Sequence, residues 1–265
     1  MKRAYVEIPE GQMHYRYAGS GPAVVCLHMS GSSSQEYEKV GEILSEEFTV
    51  YALDILGFGG SDAPPRYYTL AEHAQTVASF MDAVGVDKAY LIGNLVGCNI
   101  ASRFATMYPQ RVRGIMFGQY CFDTDYQHFR SRRDLPCFLP IYPKPDGSHL
   151  LEMWSRAAKY DEPAEIIDAR ALCLHQAGIL GESLHLALFE ECEFEKILPF
   201  VKTKTVFVSY GKFAEHYTQE HAAAMTPGSV VENIPDATPY VTRSHPEEFA
   251  EVFLKHFADD GGYCQ

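Results

Sequence analysis

The sequence predicts an α/β fold: a mostly parallel sheet with flanking helices and an inserted helical block. Three observations carry this. Short continuous apolar runs alternate with longer stretches of helical periodicity, as βαβ units require. Several of those runs end in glycine-rich loops, where strands buried on both faces give way to turns. The alternation lapses between about Asp123 and Phe194, then resumes.

Taken in order, Ala4 to Ile8 and Met13 to Tyr17 read as two strands joined by Pro9-Glu10-Gly11. Ala23 to Leu27 is an apolar run ending at His28 and a Gly/Ser-rich loop. Phe48 to Leu53 repeats the pattern and ends at Asp54, before Leu56-Gly57-Phe58-Gly59-Gly60-Ser61-Asp62. Thr69 and Glu72 form a capping box, and Leu70, Ala74, Val77, Met81 and Val84 recur at helical spacing up to Gly85. Ala89 to Ile92 is a strand that runs into Gly93-Asn94-Leu95-Val96-Gly97, and a helix continues through Ile100, Phe104 and Tyr108 to Pro109.

Val112 to Phe117 makes a further strand. Residues 123–194 begin polar and proline-rich (Pro136, Pro140, Pro143, Pro145). They then turn helical over Leu150 to Ala158, Ala164 to Gln176 and Leu184 to Cys192, and this block reads as an inserted cap. Thr205 to Tyr210, a helix from about Glu215 to Met225, the strand Val230 to Ile234 and a helix from Pro246 to Phe257 complete the pattern. The core therefore comprises residues 1–122 and 195–265.

With 265 residues at 46% hydrophobic, the chain supports one sizeable domain with its insertion. A net charge of -13 disfavours nucleic acid, which needs clustered Lys and Arg. Seven scattered cysteines without a C-x-x-C read as reduced, mostly buried thiols. No run approaches the roughly 18 apolar residues of a membrane span, so the expectation is a cytoplasmic protein that binds no membrane. Gly57 to Gly60 lacks the Lys-Ser/Thr of a P-loop, no G-x-G-x-x-G follows the first parallel strand, and no metal spacing occurs; no cofactor and no metal are expected. No long heptad is present, and the oligomeric state has no signature.

The ordered motifs resemble the α/β-hydrolase superfamily, in its small cap-bearing branch. Strand-His28 resembles the strand ending in H-G; Asp54 to Asp62 resembles D-x-x-G-x-G-x-S-D; Tyr68-Thr69-Leu70 resembles the opening of the next helix. Pro109 to Gly114 resembles P-x-R-V-x-G, and His245 to Phe249 resembles H-P-E-E-F. The Gly93 to Gly97 turn resembles the nucleophile elbow, with leucine where the nucleophile belongs.

A serine hydrolase of this superfamily needs a nucleophile, a histidine base and an orienting carboxylate. The resemblance places these at Leu95, at Pro239 with Thr238 beside it, and at Ala214 with Glu215 adjacent; all three positions depart from the pattern. Of the oxyanion donors it implies, Val96 N–H survives side-chain replacement. The other is Ser30, preceded by Met29 where the family has glycine.

His28 resembles the family histidine that braces loop backbone, and Asp54 reads as bracing the Gly57 to Gly60 loop. Tyr120, after a strand C-terminus, is read as a pocket residue and weak acid, and Ser30 as a candidate nucleophile. His175, among the cap histidines His128, His149, His175 and His185, and Trp154 are read as facing the ligand. The ligand-binding set is His28, Met29, Ser30, Asn94, Leu95, Val96, Tyr120, Trp154, His175 and Pro239, around a small apolar or aromatic molecule.

Three functions fit this reading. One is a cofactor-free, non-hydrolytic enzyme of lyase, isomerase or cyclase type, such as secondary metabolism employs. The others are a non-catalytic binding protein and a hydrolase with relocated residues.

Overall fold

The computed structural model describes residues 1–122, 125–211 and 219–258. Eight strands, β1 (Lys2–Ile8), β2 (Gly11–Ala18), β3 (Ala23–Leu27), β4 (Thr49–Leu53), β5 (Ala89–Asn94), β6 (Val112–Gly118), β7 (Thr205–Tyr210) and β8 (Val230–Ile234), form one sheet ordered β1-β2-β4-β3-β5-β6-β7-β8. β2 runs antiparallel to both its neighbours. From β4 through β3 to β8 every pair is parallel.

Burial follows position in the sheet. All residues of β5 and β7 are buried, which is why their centres read as apolar runs, whereas the edge strands β1 and β8 alternate or lie exposed.

The helices α1 (Glu38–Leu44), α2 (Leu70–Ala83) and α3 (Val96–Met107) fill the first crossovers. The β3-to-β4 connection steps one way along the sheet, while β4-to-β5 and β5-to-β6 step the other way. Right-handed crossovers therefore place α1 on one face and α2 with α3 on the other. α2 packs on α3, and α1 on the closing helix α10 (Pro246–Phe257), which agrees. The capping box at the start of α2 is formed: the Thr69 hydroxyl accepts the Glu72 N–H, and the Glu72 carboxylate accepts the Thr69 N–H.

Between β6 and β7 lie α4 (Tyr126–Ser131), α5 (Ser148–Ala157), α6 (Ala164–Ala177) and α7 (Ser183–Glu190). They cover the C-terminal ends of the strands: Leu174 of α6 presses on Gly31 after β3, and Leu180 lies against Gly57 after β4. The short α8 (Gln219–Met225) and α9 (Val241–Ser244) flank β8.

Among the described residues, several short elements go beyond the sequence reading, α1 and α9 among them. The loop after β3 tightens into a 3-10 turn, Ser34–Tyr37, that leads into α1, and α4 forms within the polar stretch. The 3-10 turn and α4 lack an apolar stripe, and that of α1 is only two turns long. α1 buries Val40, Gly41 and Leu44, and α4 is anchored by Phe129 and capped by the Asp125 carboxylate, which accepts the His128 N–H at 3.0 Å.

Candidate functional site

The strand-to-helix turn at Leu95 has the geometry of an elbow. Leu95 holds φ 48° and ψ -114°, a conformation that costs a branched residue on the order of 1–3 kcal/mol. The turn is this sharp because its neighbours have no side chains. A Cβ on Gly93 would meet Cys98 N at 2.4 Å, and one on Gly97 would meet the Leu27 carbonyl oxygen at 2.1 Å. Close packing of α3 onto β3 thus fixes the turn and aims residue 95 outward from the C-terminal end of β5.

A buried polar cluster underlies the elbow. Asn94 Nδ2 donates to Glu36 Oε1 (2.7 Å) and to the Pro239 carbonyl (3.1 Å), while the Tyr210 hydroxyl donates to Asn94 Oδ1 (2.9 Å). Met29 N–H donates to Glu36 Oε2 (3.3 Å). Burial pushes the Glu36 carboxyl up, opposed by the Asn94 and Ser32 hydrogen bonds and the Arg243 charge. One side chain, Asn94, therefore ties together the elbow, the loop after β3 through Glu36, and the loop carrying Pro239.

Above the elbow lies a cavity of about 300 Å³. Met29, Leu95 and Pro239 line it from the core, with Cys121 and Tyr240; Leu135, Cys137, Phe138 and Tyr160 line it from the cap. Four cationic side chains join them: Arg132, Arg156, Lys159 and Arg170. A cleft of about 540 Å³ elsewhere, beside His14 and Asp54, is larger, but it lies away from the elbow. Ligands of open α/β sheets gather at the strand C-termini, and the smaller cavity is the one into which the elbow at the end of β5 presents Leu95.

The cations are unevenly compensated. Arg156 pairs with Glu152 at 3.0 Å and lies 3.7 Å from Glu182. Arg170 donates to the Ser30 carbonyl, and the Lys159 ammonium lies 5.6 Å from the Phe138 ring centroid. Among the described residues no carboxylate lies within 4.0 Å of Arg170 or Lys159. His185 also lines the cavity, its Nδ1 2.6 Å from Glu182 Oε2. Burial raises the Glu182 carboxyl, but the His185 hydrogen bond and the Arg170 and Arg156 charges outweigh it and hold the group below its ordinary range.

The sequence-derived residues divide into three groups. Met29, Leu95 and Pro239 meet at the cavity. His28, Ser30, Asn94 and Val96 support it from beneath or beside. His28 Nδ1–H donates to the Met29 carbonyl (2.8 Å) and Nε2 accepts the Ile55 N–H (3.0 Å); burial lowers its pKa to about 4, so the ring is neutral. Ser30 Oγ donates to the Gly181 carbonyl at 3.3 Å, a brace to the cap. Val96 is the first residue of α3, so its N–H has no partner within the helix.

The third group lies elsewhere. Tyr120 is a core residue, its ring against Phe117, Phe194 and Phe207 and its hydroxyl 3.0 Å from Ser102 Oγ; the alternation beyond β6 gives the cavity Cys121 instead. His175 is exposed on the outer side of α6, its ring 6.1 Å from that of His149, and the cap histidine at the cavity is His185. Trp154 is half-buried in α5 and does not line the cavity. Ala214 and Glu215 lie outside the described residues, as does Asp123.

Asp54 braces the glycine loop as its position implies: its carboxylate accepts the N–H groups of Gly60 (2.7 Å) and Ser34 (2.5 Å), and His14 Nδ1 lies 2.8 Å away. Among the described residues no group of three or more His, Cys, Asp or Glu is placed to hold a metal ion, and no helix is long and apolar enough to cross a membrane.

Residues 22–127 match the family model described as the alpha/beta hydrolase fold. An uncharacterized protein of Mycobacterium tuberculosis is 35% identical over 98 residues, 37% of this chain and 29% of that protein. Haloalkane dehalogenase 2 of the same organism is 33% identical over 113 residues, 42% of this chain and 40% of the enzyme. The chain thus spans well under half the length of these relatives. Among solved structures, a thermophilic esterase from Thermogutta terrifontis superposes with a TM-score of 0.78 at 21% identity, covering 98% of this chain and 100% of the esterase.

Proposed function

The chain has the α/β-hydrolase fold, and on that scaffold we propose a cofactor-free enzyme that works without a covalent nucleophile on a small molecule with an apolar, often aromatic, body and an anionic group. The observation that carries this is the cavity itself: an apolar floor of Leu95, Met29 and Pro239 facing Arg170, Lys159 and Arg156. Leucine has no lone pair to attack with, and proline at 239 offers no base, so the route through an acyl-enzyme is closed at the elbow. An apolar surface opposed by cations instead binds a planar acid by its body and orients it by its charge. The cations amend the largely apolar ligand expected from sequence. Orientation and charge stabilisation in such a site lower barriers for isomerisation or elimination without a bond to the protein.

Relatives named as a dehalogenase and an esterase support a hydrolytic reading of the fold. It is tested together with the proposal. Benzoate is titrated against the protein, with Trp154 fluorescence and calorimetry as readouts. Saturable binding that weakens about tenfold or more in Arg170→Gln is expected, the scale of one lost charge-assisted hydrogen bond. No benzoate binding, or binding unaffected by Arg170→Gln, would refute an anion site. Hydrolysis of 4-nitrophenyl acetate by the wild type that disappears in Ser30→Ala would replace the proposal with a relocated hydrolase.

A further inference from the structure

We infer that His185, oriented by Glu182, is a general base that removes a proton from a carbon acid bound above Leu95. This rests on the reading of the cavity as a site for small anionic or anion-forming molecules, and it adds the group that such a site needs for chemistry.

Four features of the structure converge on His185. First, the ring lines the same cavity as Leu95, Cys121 and Tyr240, although it belongs to α7 of the cap. Second, its Nδ1 is 2.6 Å from Glu182 Oε2, so Nδ1 keeps its proton and donates it in a hydrogen bond to the buried carboxylate. That leaves Nε2 with the lone pair, and no described residue hydrogen-bonds it. Third, the ring packs on a pair of aromatic side chains, tilted against Phe138 with centroids 4.8 Å apart and stacked on Phe189 at 6.2 Å and 18°. Fourth, the other oxygen of Glu182 faces Arg156 at 3.7 Å, so the carboxylate is anchored from two directions. A carboxylate on one ring nitrogen and an open lone pair on the other is the arrangement of an oriented base.

The surrounding charges suit the reaction. In the step, the C–H proton passes to Nε2 and its electron pair delocalises onto an oxygen of the ligand facing Arg156, Lys159 or Arg170. Return of the same proton to a neighbouring carbon completes an isomerisation, with no oxidant or reductant required. The imidazolium formed is neutralised by Glu182, and the anion by the cap cations. A His185–Glu182 pair that served only to hold the cap together would need neither an open nitrogen nor a place in the cavity wall.

The probe is 5-nitrobenzisoxazole, a small aromatic carbon acid. Loss of its C–H proton breaks the ring N–O bond and gives a nitrile and a coloured phenolate, so base catalysis is read directly by absorbance. The wild type is expected to open it faster than an equal concentration of free imidazole. His185→Gln is expected to lose about a hundredfold or more, within the usual range for a positioned base. His185→Phe, which keeps an aromatic ring against Phe138 and Phe189, should lose as much while its far-ultraviolet circular dichroism and cooperative urea unfolding remain those of a folded protein, so that failure to fold is not mistaken for loss of the base. Added imidazole should restore part of the rate in His185→Gln. A wild type no faster than imidazole, or a His185→Gln or His185→Phe protein as fast as the wild type, would overturn the assignment. Either result leaves the Arg170-dependent binding of benzoate to stand or fall by itself.

Discussion

Lowering the pH should unfold this protein early, because two wholly buried histidines are held neutral. Burial brings His28 down to about 4, against a backbone hydrogen bond to Met29 and the nearby Asp54 charge. Burial, with the His28 charge, brings His73 on α2 to about 3. In the unfolded chain both titrate near 6.5. Above that pH both are neutral in either state and stability does not depend on them.

Below it the unfolded chain takes up two protons that the folded chain refuses until near 4 and 3. Stability is lost across that window, at up to about 2.7 kcal/mol per pH unit. Between about pH 7 and about pH 5 each histidine removes about 2 kcal/mol, a large share of the roughly 5–15 kcal/mol that stabilises a domain. Glu36, held up by burial, takes its proton first in the folded state and offsets part of this slope; Asp54 and Glu182, held low, add to the loss only below about pH 4. The clean quantity is therefore a difference between variants.

His73 has an unpartnered Nδ1 and a ring 5.7 Å from Tyr68, so His73→Phe keeps the shape and removes one titration. Urea unfolding followed by Trp154 fluorescence and far-ultraviolet circular dichroism should show the variant losing about 2 kcal/mol less than the wild type over this range. Equal slopes in the two proteins would refute the claim that His73 is buried and neutral.

Gly97→Ala should destabilise by about 3 kcal/mol or more, because its Cβ would fall 2.1 Å from the Leu27 carbonyl oxygen and neither backbone can yield; an unchanged thermal midpoint would contradict the packing of α3 on β3. Thr69→Ala, which removes a cap on α2, should cost about 1 kcal/mol in urea unfolding without altering benzoate binding. Asn94→Ala leaves Glu36, Tyr210 and the Pro239 carbonyl without this partner, and should cost about 3 kcal/mol while weakening benzoate binding through the displaced Pro239 loop; a variant as stable as the wild type would show that the cluster contributes little.

Much of the fold was legible because strands buried on both faces and amphipathic helices write themselves as periods. β5, β7, α2, α6 and α10 come directly from such runs, and the Thr69–Glu72 box marks a terminus to the residue. The Ser34–Tyr37 turn, α1 and α4 were not legible, since each is short and set by a few long-range contacts. Within the site, motif position located Leu95, Met29 and Pro239.

The rest of the site depended on which way the cap helices face. Helical phase alone does not distinguish His175, which looks outward, from His185, which looks in; nor does it reveal that Arg156 and Arg170, on different helices, converge on one cavity. Tyr120 was misplaced by a single step of alternation, with Cys121 taking its place. Glu36 stood in a polar run with nothing to mark it as buried.

The cap is moored chiefly to main chain. Arg170 donates to the Ser30 carbonyl, Ser30 to Gly181, Gln176 to Gly59 and the Tyr240 hydroxyl to the Ala157 carbonyl. A carbonyl acceptor is the same whatever side chain its residue carries. Cavity-facing positions that take no part in these moorings, such as Leu135, Cys137 and Lys159, are thus free to be exchanged without casting the cap adrift, and the molecule it encloses can be redefined while the architecture that holds it stays in place.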